Sequence, residues 1–227
     1  AALIAEFTGI RTCTRRIPIS ATHGQNCPPE AVGGCAAATA GIVTAQEYES
    51  APALFRELAL GRDDHILDAV RCRITELADA ELFESAARMR DRLAVLADVL
   101  RNLHRLSSIT DIAELIVARK DSAGGWELAV IRHGRLTAAA TAPRTVHPMP
   151  VVEAIVAGAE TVIPDSTPLR GASPEEVALI ARWMHSDGVR IVRTTDGYAE
   201  PLHGAGAWRQ WCGVARTVSR RERGMNE

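Results

Sequence analysis

The stretch from residue 66 to residue 103 constrains this chain more than any other. Leu82, Ala86, Met89, Leu93, Leu96, Leu100 and Leu103 step by four, three, four, three, four and three. That spacing lays a seam along one face of a long α-helix. An earlier stripe, Ile66, Val70, Ile74 and Leu77, has similar spacing, and Asp79-Ala80-Glu81 between the two is long enough for a tight turn. The pattern predicts an antiparallel helical hairpin. Glu84 stands four residues before Arg88, the favourable orientation for an ion pair on a helix. Ala86 and Ala87 are small, so another helix can approach closely there. A two-helix unit is too small to be stable alone. A second hairpin, or the rest of the chain, must cover its seam.

Around this hairpin the pattern changes. Residues 13–42 are rich in Gly, Pro, Ala and Thr without periodicity and read as loop, followed by a helical pattern over 45–59. Beyond the hairpin, 112–119, 126–132 and 135–141 read as strands, turning at Gly124-Gly125 and His133-Gly134. Helices follow at 150–160 and 174–186, the second opened by Ser173-Pro174-Glu175-Glu176, with Ser at the N-cap and Pro at the first helical position. A last hairpin is expected from Arg190–Arg193 to Tyr198–Glu200, turning at Asp196-Gly197. The fold class expected is α+β: the helical hairpin, preceded by a cysteine-containing loop and followed by a small, mainly antiparallel α+β unit. Its two helices are expected on one face of the sheet, through Val152, Ile155, Val156, Val177, Ile180 and Ala181. The organisation reads as 1–12, the end of a preceding domain; 13–44, the loop; 45–108, the helical region; 109–208, the α+β domain; and 209–227, a disordered basic tail.

Composition narrows the function classes. The 227 residues carry a net charge of −2, so the chain as a whole is not a strongly basic nucleic-acid binder, and contact with DNA would be local or indirect. Five widely spaced cysteines, an odd count, fit a reducing compartment better than a disulfide framework, which points to the cytoplasm. No run approaches the ~20 apolar residues that span a bilayer. The opening Ala-Ala-Leu-Ile-Ala lacks the basic and apolar regions of a signal peptide and an initiator Met, and reads as the interior of a longer protein.

Residues 82–93, Leu-Phe-Glu-Ser-Ala-Ala-Arg-Met-Arg-Asp-Arg-Leu, resemble the UVR motif. That motif is the helical hairpin found near the middle of the UvrC excinuclease family and at the tail of its partner UvrB. It runs roughly as Phe-Glu-x-Ala-Ala-x-Leu-Arg-Asp-x-Ile. Phe83, Glu84, Ala86, Ala87, Arg90 and Asp91 fall in register, with Met89 for Leu and Leu93 for Ile. The resemblance extends over roughly 9–105. Ile10-Arg11-Thr12-Cys13 resembles the close of a GIY-YIG nuclease domain, Ala45-Gln46-Glu47-Tyr48 the start of the next helix, and Leu60-Gly61-Arg62-Asp63-Asp64 the step into the hairpin. The overall likeness is to the C-terminal part of actinobacterial proteins that join a DnaQ-like exonuclease, a GIY-YIG domain and a UVR hairpin. The resemblance implies a nucleotide-excision-repair protein docking onto a UvrB-type helicase by hairpin pairing, through Phe83, Glu84, Ala86, Ala87, Arg90, Asp91 and Leu93, with no membrane contact.

The same family implies a cysteine ligand set. Cys13, Cys27 and Cys35 match three of its four cysteines, and Thr39 stands where the fourth belongs. Three readings fit: a ligand set no longer used, zinc completed by His23, or an iron–sulfur cluster with one non-cysteine ligand. Catalysis is not expected of this chain. The tyrosine pair, arginine and glutamate of a GIY-YIG site belong upstream, and Asp165, Glu175, Glu176, Asp187 and Asp196 are scattered at turns and helix starts, where acids serve as caps. Two alternatives stay open: an adaptor docking onto Clp-type chaperones, disfavoured by the lack of any Cys-x-x-Cys pair, and a decayed gene product.

Overall fold

The computed structural model describes residues 2–11 and 48–224, and these form two compact units, Ala1–Arg101 with Leu202–Glu227, and Asn102–Pro201. The first unit is helical. It contains α1 (Ala2–Thr8), α2 (Ser50–Ala59), α3 (His65–Asp79), the greater part of α4 (Phe83–Thr110), a 3₁₀ turn (Gly204–Gly206) and α7 (Arg209–Gly224). The unit boundary falls within α4.

The two stripes legible in the sequence meet in this first unit. Ile66, Leu67 and Val70 of α3 share one core with Leu93, Ala97 and Leu100 of α4, with Ile74, Met89 and Leu96 packed at its edge. Leu3, Leu58, Ala205, Trp208 and Cys212 close that core from the rest of the unit. The reversal between α3 and α4 is a Schellman turn: Leu82 N–H donates to Leu77 O at 2.9 Å and Glu81 N–H to Ala78 O at 2.9 Å. Glu81 takes the left-handed position (φ 59°) that glycine usually fills. At the opposite end, Gly204 (φ 55°) packs so closely that a Cβ would lie 2.8 Å from the carbonyl oxygen of Gly61. Trp208 then donates its indole N–H to Asp64 Oδ2 at 3.1 Å, fixing the start of α7 to the start of α3.

The second unit is a four-stranded antiparallel sheet in the order β3-β2-β1-β4, flanked by α5 (Pro148–Gly158) and α6 (Pro174–Met184). Its strands are β1 (Leu115–Lys120), β2 (Trp126–Arg132), β3 (Arg135–Ala142) and β4 (Val189–Thr194). The chain is thus α+β. His133 and Gly134, both at positive φ (47° and 75°), make the two-residue turn between β2 and β3. Ser173 caps α6 by accepting from Glu176 N–H at 3.4 Å, with Pro174 at the first position.

Three expectations need correction. The two helices lie on opposite faces of the sheet. Val177, Ile180 and Ala181 of α6 pack with Leu115, Val117, Ala129 and Ile131, whereas Val152 of α5 packs with Ile116, Ala118, Leu128 and Val130. The reason is in the strands: Leu115-Ile-Val-Ala118 and Leu128-Ala-Val-Ile131 are apolar on both sides, so cover on one face would leave the other bare. The expected final hairpin is a single strand. β4 pairs with β1, and residues after Gly197 leave the sheet, with Tyr198 set edge-on to His185. Residues 209–224, expected as a disordered tail, form α7. Its buried side is built of Cys212, Ala215 and Ser219, following Trp208. That stripe has helical spacing but lacks the leucines that mark the other helices.

Candidate partner-docking site

The residues in register with the hairpin motif lie along the first three turns of α4, and the structure divides them into three groups. Ala86 and Leu93 are buried within the hairpin's own unit, and Leu93 is fully enclosed. Ala87 is half-buried. Phe83 and Glu84 face outward; Phe83 leaves 64% of its surface in water beside Leu82 at 53%. For a phenylalanine that is a large apolar exposure at a helix start, where the Schellman turn sets it. Glu84 lies 3.8 Å from Arg88, one helical turn on.

Arg90 and Asp91 form the third group, and both are engaged by α7. Arg90 donates through Nη2 to Glu222 Oε2 at 2.7 Å and to Ser219 Oγ at 3.0 Å, and through Nη1 to Glu222 Oε1 at 3.1 Å. It also holds Asp91 Oδ1 at 2.9 and 3.0 Å, and Ser219 Oγ donates to that same oxygen. The hydrogen bond from Arg90 holds the Glu222 carboxyl below the usual glutamate range. The bonds to Glu222 in turn raise the Arg90 guanidinium further above its ordinary value. Farther along, Arg216 Nη1 donates to Asp98 Oδ2 at 2.7 Å, and Cys212 lies buried with its sulfur 3.9 Å from the carbonyl oxygen of Ala94. Nothing in the residue pattern singled out Ser219 and Glu222. Their three-residue spacing on one helix face was the available signal, hidden in a stretch dominated by arginine.

Cys13, His23, Cys27 and Cys35 lie outside the described residues. Among the described residues, no three His, Cys, Asp or Glu side chains converge where a metal ion would be held. The acids considered above have local roles. Asp165 accepts from Thr167 N–H and Oγ1 at 2.8 and 2.6 Å. Glu175 accepts from Ser173 Oγ at 2.7 Å and Glu176 from Leu136 N–H at 3.0 Å, while Asp196 accepts from Thr195 Oγ1 at 2.7 Å. No helix among the described residues is long and apolar enough to cross a membrane.

Comparison with known proteins finds similarity to a nuclease-named protein and to two UvrC-type proteins. The chain is 48% identical over 225 residues, 96% of its length, to a Mycobacterium tuberculosis protein named "Putative bifunctional exonuclease/endonuclease protein". It spans only 34% of that relative. It is also 24% identical over 137 residues to the UvrABC system protein C of Caldanaerobacter subterraneus subsp. tengcongensis, covering 60% of this chain and 22% of that protein. The corresponding protein of Streptomyces avermitilis is 25% identical over 136 residues, 59% of this chain and 20% of the relative. The chain is therefore related to nuclease-named and UvrC-type proteins. No protein-family model matches it, and no solved structure does.

Proposed function

We propose that this chain is the partner-docking portion of a UvrC-like, nuclease-associated DNA-repair protein, with catalysis residing in parts of that protein outside these 227 residues. The hairpin of α3 and α4 is the docking device, and its partner is a UvrB-type helicase carrying a hairpin of the same kind. Contact with DNA is indirect, through that partner, and the setting is cytoplasmic. The observation that carries the reading is Phe83, left 64% exposed beside Leu82 at the head of a hairpin whose seam residues Leu93, Ala97 and Leu100 are enclosed. An aromatic that becomes buried near the centre of an interface carries a disproportionate share of its binding energy. The similarity to UvrC-type proteins supports the choice of partner.

Titration of the full chain with a UvrB-type C-terminal hairpin tests this. Binding is expected, and Phe83→Ala should weaken it by about 2 kcal/mol, roughly thirtyfold. Because Phe83 is exposed, the variant should unfold at nearly the same denaturant concentration as the parent. Absence of binding, or binding indifferent to Phe83→Ala, refutes the assignment.

A further inference from the structure

The residue match assigns Arg90 and Asp91 to the docking set, yet both are occupied by the chain's own C-terminal helix. From this we infer that α7 is a latch on the docking face, and that a partner reaching Arg90 and Asp91 must displace it. The inference rests on the docking function proposed above.

The contact is built for exchange. Along α7 the side chains turned into the unit beyond Trp211 are small: Cys212, Ala215 and Ser219. Burial of such residues contributes little apolar area compared with a leucine face. The polar part has two places: Arg216 on Asp98 midway along the helix, and near its end a clamp of one carboxylate and one hydroxyl, Glu222 and Ser219, on one guanidinium and one carboxylate, Arg90 and Asp91. Glu222 is 48% exposed and Arg90 15%, so the pair lies between an exposed ion pair, which contributes modestly, and a buried one. The base of the helix is held differently. Trp208 is buried, stacks edge-on to Trp211 with ring centroids 5.6 Å apart, and bonds Asp64. Trp208 lies just before α7 begins, so the chain is anchored ahead of the helix, and α7 beyond that pivot, Cys212 included, is an arm that swings off while staying attached.

The resident helix also defines the chemistry that replaces it. The face accepts an amphipathic helix with small residues against α4, a carboxylate for Arg90 and a hydroxyl donor for Asp91. A docking hairpin with acidic residues on its outer face offers those groups. Its binding at Arg90 and that of α7 are then mutually exclusive, so each weakens the other by the same factor.

Alkylation of Cys212 reports whether α7 is seated, because its sulfur lies on the buried face of that helix while Cys72 is exposed and serves as an internal control. The full chain and the variants Glu222→Gln and Ser219→Ala/Glu222→Gln are treated with N-ethylmaleimide and read peptide by peptide, with and without a UvrB-type hairpin. Weakening the clamp should speed Cys212 labelling roughly five- to tenfold at unchanged Cys72 labelling, and should tighten hairpin binding by a similar factor. Saturating hairpin should expose Cys212 in the unaltered chain. Hairpin binding that leaves Cys212 protected, or that is no tighter in the variants, overturns the latch and leaves the docking function standing. Cys212 labelling indifferent to both substitutions overturns it as well. Failure of the hairpin to bind any of the three proteins removes the docking function, and the latch with it.

Discussion

Arg132 organises the second unit, and its replacement by methionine gives the sharpest test of that fold. Its guanidinium donates to Glu114 Oε2 through Nε at 3.1 Å and Nη2 at 2.8 Å. The same group donates to the last carbonyl groups around the end of α5: Val156 O at 3.2 Å, Ala159 O at 2.9 Å and Glu160 O at 3.0 Å. One side chain on β2 thus ties the segment before β1 to the C-terminus of a helix, where a cation is favoured by the helix dipole. Arg132 and Glu114 are 21% and 19% exposed. An exposed pair is worth up to about 1 kcal/mol, and breaking a buried one costs about 3–5 kcal/mol. At one-fifth exposure the loss should fall between, near 2–3 kcal/mol, with up to about 1 kcal/mol more from the uncapped helix end. Methionine keeps the apolar stem, so the change reads the polar contacts. Glu114 is not stranded, because Arg193 Nη2 still donates to its Oε1 at 3.2 Å.

Hydrogen exchange separates the two units and is the assay of choice. A loss of about 3 kcal/mol raises the opening equilibrium roughly 150-fold. Amides of α5, β1 and β2 should exchange faster by about that factor in Arg132→Met, while those of α3 stay as they were. Arg193→Met, at 43% exposure, should cost no more than about 1 kcal/mol. The pH dependence has a definite sign. Burial pushes the Glu114 carboxyl up, but the hydrogen bonds from Arg132 and Arg193 outweigh it and hold it below the usual glutamate range. Its contribution is therefore fully present above the unfolded glutamate value, about 4.3, and is lost as pH falls through the lower folded value. Acid unfolding of the second unit should accordingly begin at higher pH in Arg132→Met. A change of less than threefold in exchange, or a uniform change in both units, refutes this account.

Three shorter predictions complete the set. Leu93→Ala, at a fully enclosed position in the hairpin core, should destabilise the first unit by about 2–5 kcal/mol in urea unfolding; a loss under 1 kcal/mol would mean the seam is not the core. Glu81→Gly should stabilise the hairpin by about 0.5–1 kcal/mol, because glycine adopts the left-handed turn without the steric cost that glutamate bears; destabilisation would contradict the turn geometry. The purified chain incubated with nicked, damaged or single-stranded DNA and magnesium or manganese should leave the DNA uncut, and cleavage that disappeared when Asp165 or Glu176 was replaced would reverse that expectation.

How much of this was legible depended on the size of the side chains that carry the signal. The seam from Leu82 to Leu103 is mostly leucine, and both helices of the hairpin follow from it. The Ser173-Pro174 cap and the His133-Gly134 turn were equally plain, since each needs particular residue types. The cover over the hairpin was not legible. It is made by Trp208, Cys212, Ala215 and Ser219, whose spacing is helical but whose apolar content is low, in a stretch where arginine dominates. The placement of α5 and α6 on opposite faces was written in the strands, because four consecutive apolar residues in β1 demand cover on both sides. The pairing of β4 with β1 depends on partners about 75 residues apart along the chain, and no local pattern reports them.

Under the proposed docking function, the motif residues divide between closing the hairpin and meeting a partner. A helix seam at this spacing presents one apolar face, and that face must first close the hairpin itself. Leu93 and Ala86 are consumed in doing so. What stays accessible on α4 includes the flank, where Arg90 and Asp91 lie, the exposed Val95 and Val99, and the head, where Phe83 stands clear. The flank is polar, so whatever covers it must satisfy a guanidinium and a carboxylate together, and α7 does this with two residues. The head has no such requirement and needs only apolar contact. Phe83→Ala and Glu222→Gln should therefore act in opposite directions on partner binding, the first removing an anchor and the second freeing a flank. Combined in one chain, the two changes should partly offset, leaving affinity roughly three- to sixfold below that of the unaltered chain, while Cys212 labelling stays as fast as in Glu222→Gln alone. A double variant that bound as weakly as Phe83→Ala alone would place the whole interface at the head of α4.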